Sequence, residues 1–420
     1  MVLNIQIAIL YIIIGRINRL NWGVKKLTSN FNKRKDFLPY CLPDISELEI
    51  QEVVSTLKSG WLAKGPRTIE FEKRFAEYVG AKYAVGMNSC TAALHISLVA
   101  AGIGPGDEVI TTPMTFAASA NTIIHTGAKP VFADIDPKTG CIDPDEIEKK
   151  ITSKTKAIVP VHYSGQACDL DRIYEIADRY NLFVSEDAAH AIYTKYKGRM
   201  IGNRPKGTVS FSFYATKNLA TGEGGMLVTD DEEIANKARI LVTHGMSKNA
   251  WNRYAKGGSW MYDIEEPGYK YNMFDLQAAL GLIQLQRLEE MQKRREQIAE
   301  KYNEAFKNVD GIEIPIISEY TTTHAWHLYI IKIVPEKLNI NRDQFIMELN
   351  ERNVGTSVHF IPVHLMSAYR NRFGYKKGDF PNTEKWFENI ISLPLYPSMS
   401  DDDVNYVIES VKDIVGCYRM

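Results

Sequence analysis

Lys217 closes an alternating run, Ser210, Phe211, Ser212, Phe213, Tyr214, Ala215, Thr216, and is followed by the glycine-rich stretch Thr221, Gly222, Glu223, Gly224, Gly225. Glycines let a backbone pass close to something bulky. A lysine held among apolar neighbours is less basic than a solvated one and becomes an amine nucleophile able to form a Schiff base. Lone lysines are mostly surface residues, so two further segments matter. Glu186, Asp187, Ala188, Ala189, His190 follows a short apolar run. A carboxylate leaving a buried strand needs a cationic or hydrogen-bonding partner, or its pKa rises; a protonated pyridine nitrogen would serve. A satisfied loop aspartate beside a packed histidine is the alternative. Asn88, Ser89, Cys90, Thr91, Ala92, Ala93 runs from a strand into a helix, whose N-terminus suits a phosphate; alone, the same string is an ordinary Ser/Thr cap.

The elements that must hold these residues alternate. Apolar spacing predicts helices over Asp44 to Ser59 and Thr68 to Val79. Strands follow at Tyr83 to Met87, Glu108 to Thr112, Pro130 to Ala133, Ala157 to Val161 and Leu182 to Ser185, with helices at Thr91 to Ala101, Phe116 to His125 and Leu170 to Tyr180 between them. This βαβ rhythm predicts an α/β fold with a mostly parallel sheet between helices. Ligands of such sheets bind beyond the carboxyl ends of the strands, where all three segments fall. A long charged helix, Leu276 to Phe306, marks a border. Beyond it a strand from Trp326 to Val334 and helices at Arg342 to Asn350 and Val404 to Val415 predict a smaller α+β domain. The expected division is 1–35, an extension outside the fold; 36–290, the large domain; and 291–420, the small one.

The chain has 420 residues, 45% apolar and 24% charged, with 50 basic and 51 acidic side chains. That balance gives no support to a nucleic-acid partner, which would need clustered positive charge. The five cysteines are scattered, with no close pair of the kind that holds zinc, and fit reduced thiols in a cytoplasmic protein. His324 and His327, three apart on the expected strand, face opposite sides, so no metal is expected. The first 35 residues carry seven basic residues and no acidic one. Their apolar run, Ile7 to Ile14, is eight residues, short of the ~18 that a spanning helix needs. A start outside the fold is the first reading; a peripheral membrane contact, from apolar plus polybasic character, is the second.

Lys217 with Ser212 and Phe213, the Gly222 to Gly225 turn, Glu186 to His190, Ser89 to Thr91, and Gly60, Trp61, Leu62 with Gly65, Pro66 together resemble the DegT/DnrJ family of pyridoxal-phosphate sugar aminotransferases, from about Phe37 to the C-terminus. The resemblance implies fold type I of the pyridoxal-phosphate enzymes, with Lys217 as the Schiff-base lysine and catalytic proton carrier. It implies Asp187 on the pyridinium nitrogen, His190 on the phenolic oxygen, Phe116 stacked on the ring, and Ser212 with the backbone of Cys90 and Thr91 on the phosphate. Asn272 is similar to an asparagine that reaches the phosphate from a neighbouring subunit, which implies a homodimer with shared sites; without the family it reads as a turn residue.

The implied reaction moves an amino group from glutamate to a nucleotide-linked keto sugar, UDP-linked in the branch it most resembles, for cell-surface polysaccharide. A branch with histidine in place of the lysine dehydrates sugars instead; Lys217 argues against it. Aminobenzoate-type or cyclitol-type chemistry on the same scaffold, or a non-catalytic regulatory relative, are the remaining alternatives. Trp61, Lys64, His244, Lys248, Arg253, His327 and His359 resemble residues on the sugar-nucleotide side. Lys248 and Arg253 suit a diphosphate, or are simply a solvated basic loop.

Overall fold

The computed structural model describes residues 31–203, 206–246 and 261–420. Lys248, Arg253 and residues 1–30 lie outside the described residues. The chain enters through α1 (Glu47–Ser59) and α2 (Pro66–Val79), both stopped by left-handed glycines, Gly60 and Gly80. It continues through β1 (Tyr83–Met87), α3 (Cys90–Ala100), β2 (Glu108–Thr111), α4 (Ala117–His125), β3 (Lys129–Phe132), α5 (Pro144–Lys150), β4 (Thr155–Val159), α6 (Leu170–Tyr180) and β5 (Phe183–Asp187). Then come β6 (Lys195–Tyr196), β7 (Arg199–Met200), β8 (Thr208–Ser212), β9 (Gly225–Thr229), α7 (Glu232–Leu241) and the 32-residue α8 (Asp275–Phe306). The chain ends with β10 (Ile312–Glu313), β11 (Thr321–Thr323), β12 (Tyr329–Ile333), α9 (Arg342–Glu351), α10 (Ser367–Phe373), α11 (Pro381–Asn389), β13 (Ile390–Leu393) and α12 (Asp401–Tyr418).

Seven strands form the main sheet in the order β1-β9-β8-β5-β4-β2-β3. β9 pairs antiparallel with both β1 and β8, and the remaining pairs are parallel. Six strands therefore point one way, and β1, β5 and β8 end at one edge, where β9 begins. The central strands β8 and β9 are buried throughout, as their apolar runs require.

A second, antiparallel sheet, β10-β12-β13, carries its own core with α9 and α12. α8 joins the two cores: Ala278, Leu285, Leu288 and Met291 pack in the first, Ile298, Ala299, Tyr302 and Phe306 in the second. His324 and His327 precede β12 instead of lying on a strand. Their opposite-faces argument therefore does not hold; among the described residues, no group of three metal-ligating side chains is present.

Lys33 onward belongs to one compact unit with the rest of the chain. The Arg34 guanidinium pairs with Asp403 at 2.9 Å, and the Arg34 carbonyl accepts from Asn353.

Candidate active site

The edge where β1, β5 and β8 end opens on a cavity of about 460 Å³ whose wall includes Ser89, Cys90, Thr91, Phe116, Asp187, His190, Ser212, Lys217, His327 and His359. Nine residues expected at the site, Cys90, Thr91, Phe116, Asp187, His190, Ser212, Lys217, His327 and His359, thus meet in one space. Each arrives for a local reason. Asp187 is the last residue of β5, and Ser212 the last of β8, five residues before Lys217. Cys90 and Thr91 open α3, so their amides have no acceptor within the helix, while the Ser89 hydroxyl caps Ala92 N–H at 3.1 Å.

Gly225 allows the approach: a Cβ on it would meet the Ser89 carbonyl carbon at 2.4 Å and the Cys90 nitrogen at 2.5 Å.

Burial controls the electrostatics. It holds the Lys217 ammonium down to about 8, against the opposing pull of Cys90 and Asp187. It raises Asp187, countered by hydrogen bonds from the Ser119 hydroxyl (2.7 Å) and the Ala189 amide (3.0 Å). Burial and the Lys217 charge push His190 and His327 well below the ordinary imidazole range, and His359 to about 3. All three imidazoles are therefore neutral at pH 7.

His190 Nδ1 accepts from Ser164 N–H at 3.3 Å, so its proton sits on Nε2. Its ring lies 4.4 Å from that of His327 and stacks on Phe360 at 5.7 Å. Phe116 is 64% exposed at the mouth.

Four expected residues lie outside this chain's cavity wall. Trp61 is exposed, its indole donating to the Lys64 carbonyl, and Lys64 is held by Glu72 at 3.0 Å. His244 is exposed. Asn272 bridges Met87, and its buried Oδ1 has no hydrogen-bond partner among the described residues.

Sequence reasoning missed Tyr40, Tyr214 and Phe360 in the wall, and Ser119, Ser164 and Asn218 behind it. Only Tyr214 and Asn218 carried a signal, as close neighbours of Lys217.

A half-buried lysine of lowered basicity and a buried acid in one cavity wall, with a helix N-terminus that Gly225 lets approach, are a donor set for an anionic pyridine aldehyde. The pattern of the DegT/DnrJ/EryC1/StrS aminotransferase family matches residues 43–412. The chain belongs to that family. It is a pyridoxal-phosphate-dependent aminotransferase of α/β class. It is 61% identical over 384 residues to the spore coat polysaccharide biosynthesis protein SpsC of Bacillus subtilis, covering 91% of this chain and 98% of that one. It is 43% identical to a UDP-4-amino-4-deoxy-L-arabinose–oxoglutarate aminotransferase of Shewanella sediminis, covering 91% and 99%. A Streptococcus pneumoniae structure described as "Putative sugar aminotransferase Spr1654, PLP-form" superposes with a TM-score of 0.83 at 38% identity, over 90% of this chain and 99% of that one.

Proposed function

We propose that this aminotransferase takes an amino group from glutamate and delivers it to a nucleotide-linked keto sugar, with a UDP-linked 4-keto sugar as the first candidate, in the making of surface polysaccharide. The observation that carries the reading is the meeting of half-buried Lys217 and buried Asp187 in one cavity wall at the sheet edge. The relatives named for spore coat polysaccharide and for UDP-4-amino-4-deoxy-L-arabinose supply the substrate class. When bound, pyridoxal phosphate supplies a carbonyl that exchanges for an amino group and a ring that draws electrons from the neighbouring carbon.

The chain's own residues do the rest. Lys217 offers the amine and carries protons at Nζ. Asp187, whose carboxylate accepts from the Ser119 hydroxyl and Ala189 N–H, would pair with the pyridine nitrogen. His190, with its proton on Nε2, would donate to the phenolic oxygen. Ser212 and the first amides of α3 would hold the phosphate, and Phe116 would cover the ring. His359 and His327 stand on the substrate side.

A second copy completes the site in this reading. Asn272, Trp61, Lys64 and His244 lie outside the wall of their own cavity. Leu48, Ile50, Val54, Leu57, Leu62 and Ile69, on and around α1 and α2, are exposed apolar residues, the kind of surface that a second copy would cover. The cell compartment proposed is the cytoplasm, where nucleotide sugars are made; no described helix is long and apolar enough to cross a membrane.

The test is incubation with glutamate and a panel of UDP-, GDP- and dTDP-linked 4-keto sugars, followed by mass spectrometry. An amino sugar from one of them, absent with Lys217→Ala, is expected. No amino sugar from any member, with a competent cofactor-loaded protein, would overturn the substrate class.

A further inference from the structure

His327 sits where Lys217 needs a hydrogen-bond acceptor, and its protonation is set from behind. The Ala325 carbonyl can only accept, so the Asn218 amide turns its NH2 toward it, at 2.6 Å. The Asn218 Oδ1 is left facing His327 Nδ1 at 3.2 Å, so that nitrogen carries the hydrogen. The other ring nitrogen, Nε2, has a lone pair and lies 3.4 Å from Lys217 Nζ, which can only donate while it is an ammonium. Both ends of the chain demand the same tautomer. His190 is fixed in the opposite sense, its Nδ1 accepting from Ser164. The two neighbouring imidazoles thus present one donor and one acceptor to the cavity.

We propose that His327 is a positioning residue for Lys217: Asn218 locks its imidazole with hydrogen on Nδ1, and its Nε2 accepts a hydrogen from the lysine whenever the amine is free. The inference rests on the reading of Lys217 as the reacting amine. Lysine has four rotatable carbons and a rotating head; committing one N–H to His327 fixes where Nζ stands. Proton transfer to His327 is not part of the role, because burial keeps that ring neutral.

The sign of the effect follows from the acceptor. A lone pair facing the ammonium stabilises the charged form, so removing it lowers the Lys217 pKa. The other groups acting on Lys217 or His327, namely Asp187, Cys90, Cys41, His190, His359 and Arg295, stay in place.

The test uses protein loaded with pyridoxamine phosphate, in which the lysine is free. Pulse acetylation across pH, with Lys217 followed by peptide mass spectrometry, reads the midpoint. His327→Leu is expected to lower it by about one unit, a roughly tenfold change in amine fraction at fixed pH. His327→Gln, which keeps an acceptor, is expected to stay near wild type, and kcat is expected to fall with the leucine variant while KM for the amino donor holds. An unchanged midpoint in folded His327→Leu, or equal shifts in the leucine and glutamine variants, overturns the proposal. If His327→Leu does not fold, Asn218→Ala takes its place: a lowered midpoint supports the lock and an unchanged one overturns it. Failure of the lysine reading would show separately, as wild-type protein in which borohydride fixes no cofactor on Lys217.

Discussion

Lys217 is governed by how little water reaches it. Its midpoint near 8, against an ordinary 10.5, predicts that acetylation of cofactor-free Lys217 rises steeply between pH 7 and 9, whereas surface lysines of the same chain rise two units later. Asp187 works against its own burial, so its donors decide whether it stays a carboxylate. Ser119→Ala removes one of them, at a cost of about 1–2 kcal/mol to the ionised form, and is expected to weaken cofactor retention on dialysis about tenfold; unchanged retention would show that Ser119 is idle. The sequence revealed Lys217, Asp187 and the Ser89 to Thr91 turn because each adjoins a strand exit in its own segment. Ser119 was silent, since a serine in a helix gives no sign that a strand 68 positions on will bring an aspartate to it. Asn218 was visible beside Lys217, but its partner His327 lies 109 residues away, and its part emerged only with the fold.

At the scale of elements, two buried carboxylates tie α1 and α2 to α8. Asp275, the first residue of α8, accepts from Gly65 N–H (2.8 Å), Arg67 N–H (3.1 Å), Thr68 N–H (3.0 Å) and the Thr68 hydroxyl (2.7 Å). It thus caps α2, whose own N-cap is a glycine without a side chain. Asp275→Ala is expected to cost about 2–3 kcal/mol, read as a fall in denaturant midpoint, with Asp275→Asn between the two.

Glu49 on α1 is pushed up by burial, but hydrogen bonds from Ser46, Arg287 and Gln284 outweigh this and hold it at about 2. A depressed carboxylate adds stability above its unfolded pKa of 4.5 and loses it as pH falls toward 2. Wild type is therefore expected to lose stability over that window more steeply than Glu49→Gln, measured by urea melts at pH 5, 4 and 3. The helices expected from apolar spacing lie within three residues of those observed, while Pro144–Lys150, Glu232–Leu241, Ser367–Phe373 and Pro381–Asn389 were not expected. The strand expected from Trp326 starts later, at Tyr329, because residues 324–328 bend back: Ala325 N–H donates to the Gly165 carbonyl and Leu328 N–H to the Ser164 carbonyl.

The whole molecule, on the proposed reading, works as two copies sharing each site. Lys217→Ala supplies Asn272 but no amine, and Asn272→Ala the reverse. Mixing and reassociating the two weak variants is expected to restore about a quarter of wild-type turnover, since half the dimers are mixed and one of their two sites is intact. No recovery would mean that Asn272 serves its own chain or no site at all. The sequence showed the family and the sheet because those follow from local periodicity and adjacent motifs; association is a property of a surface, and the exposed apolar residues around α1 could not be told from core until the packing was known. One more consequence lies in α8, a single rod of 32 residues, about 48 Å long. Because it is threaded through both hydrophobic centres, neither can melt while the other keeps its share of the rod intact. Calorimetry should therefore record one endotherm, and hydrogen exchange along residues 285–302 should be the slowest in the protein.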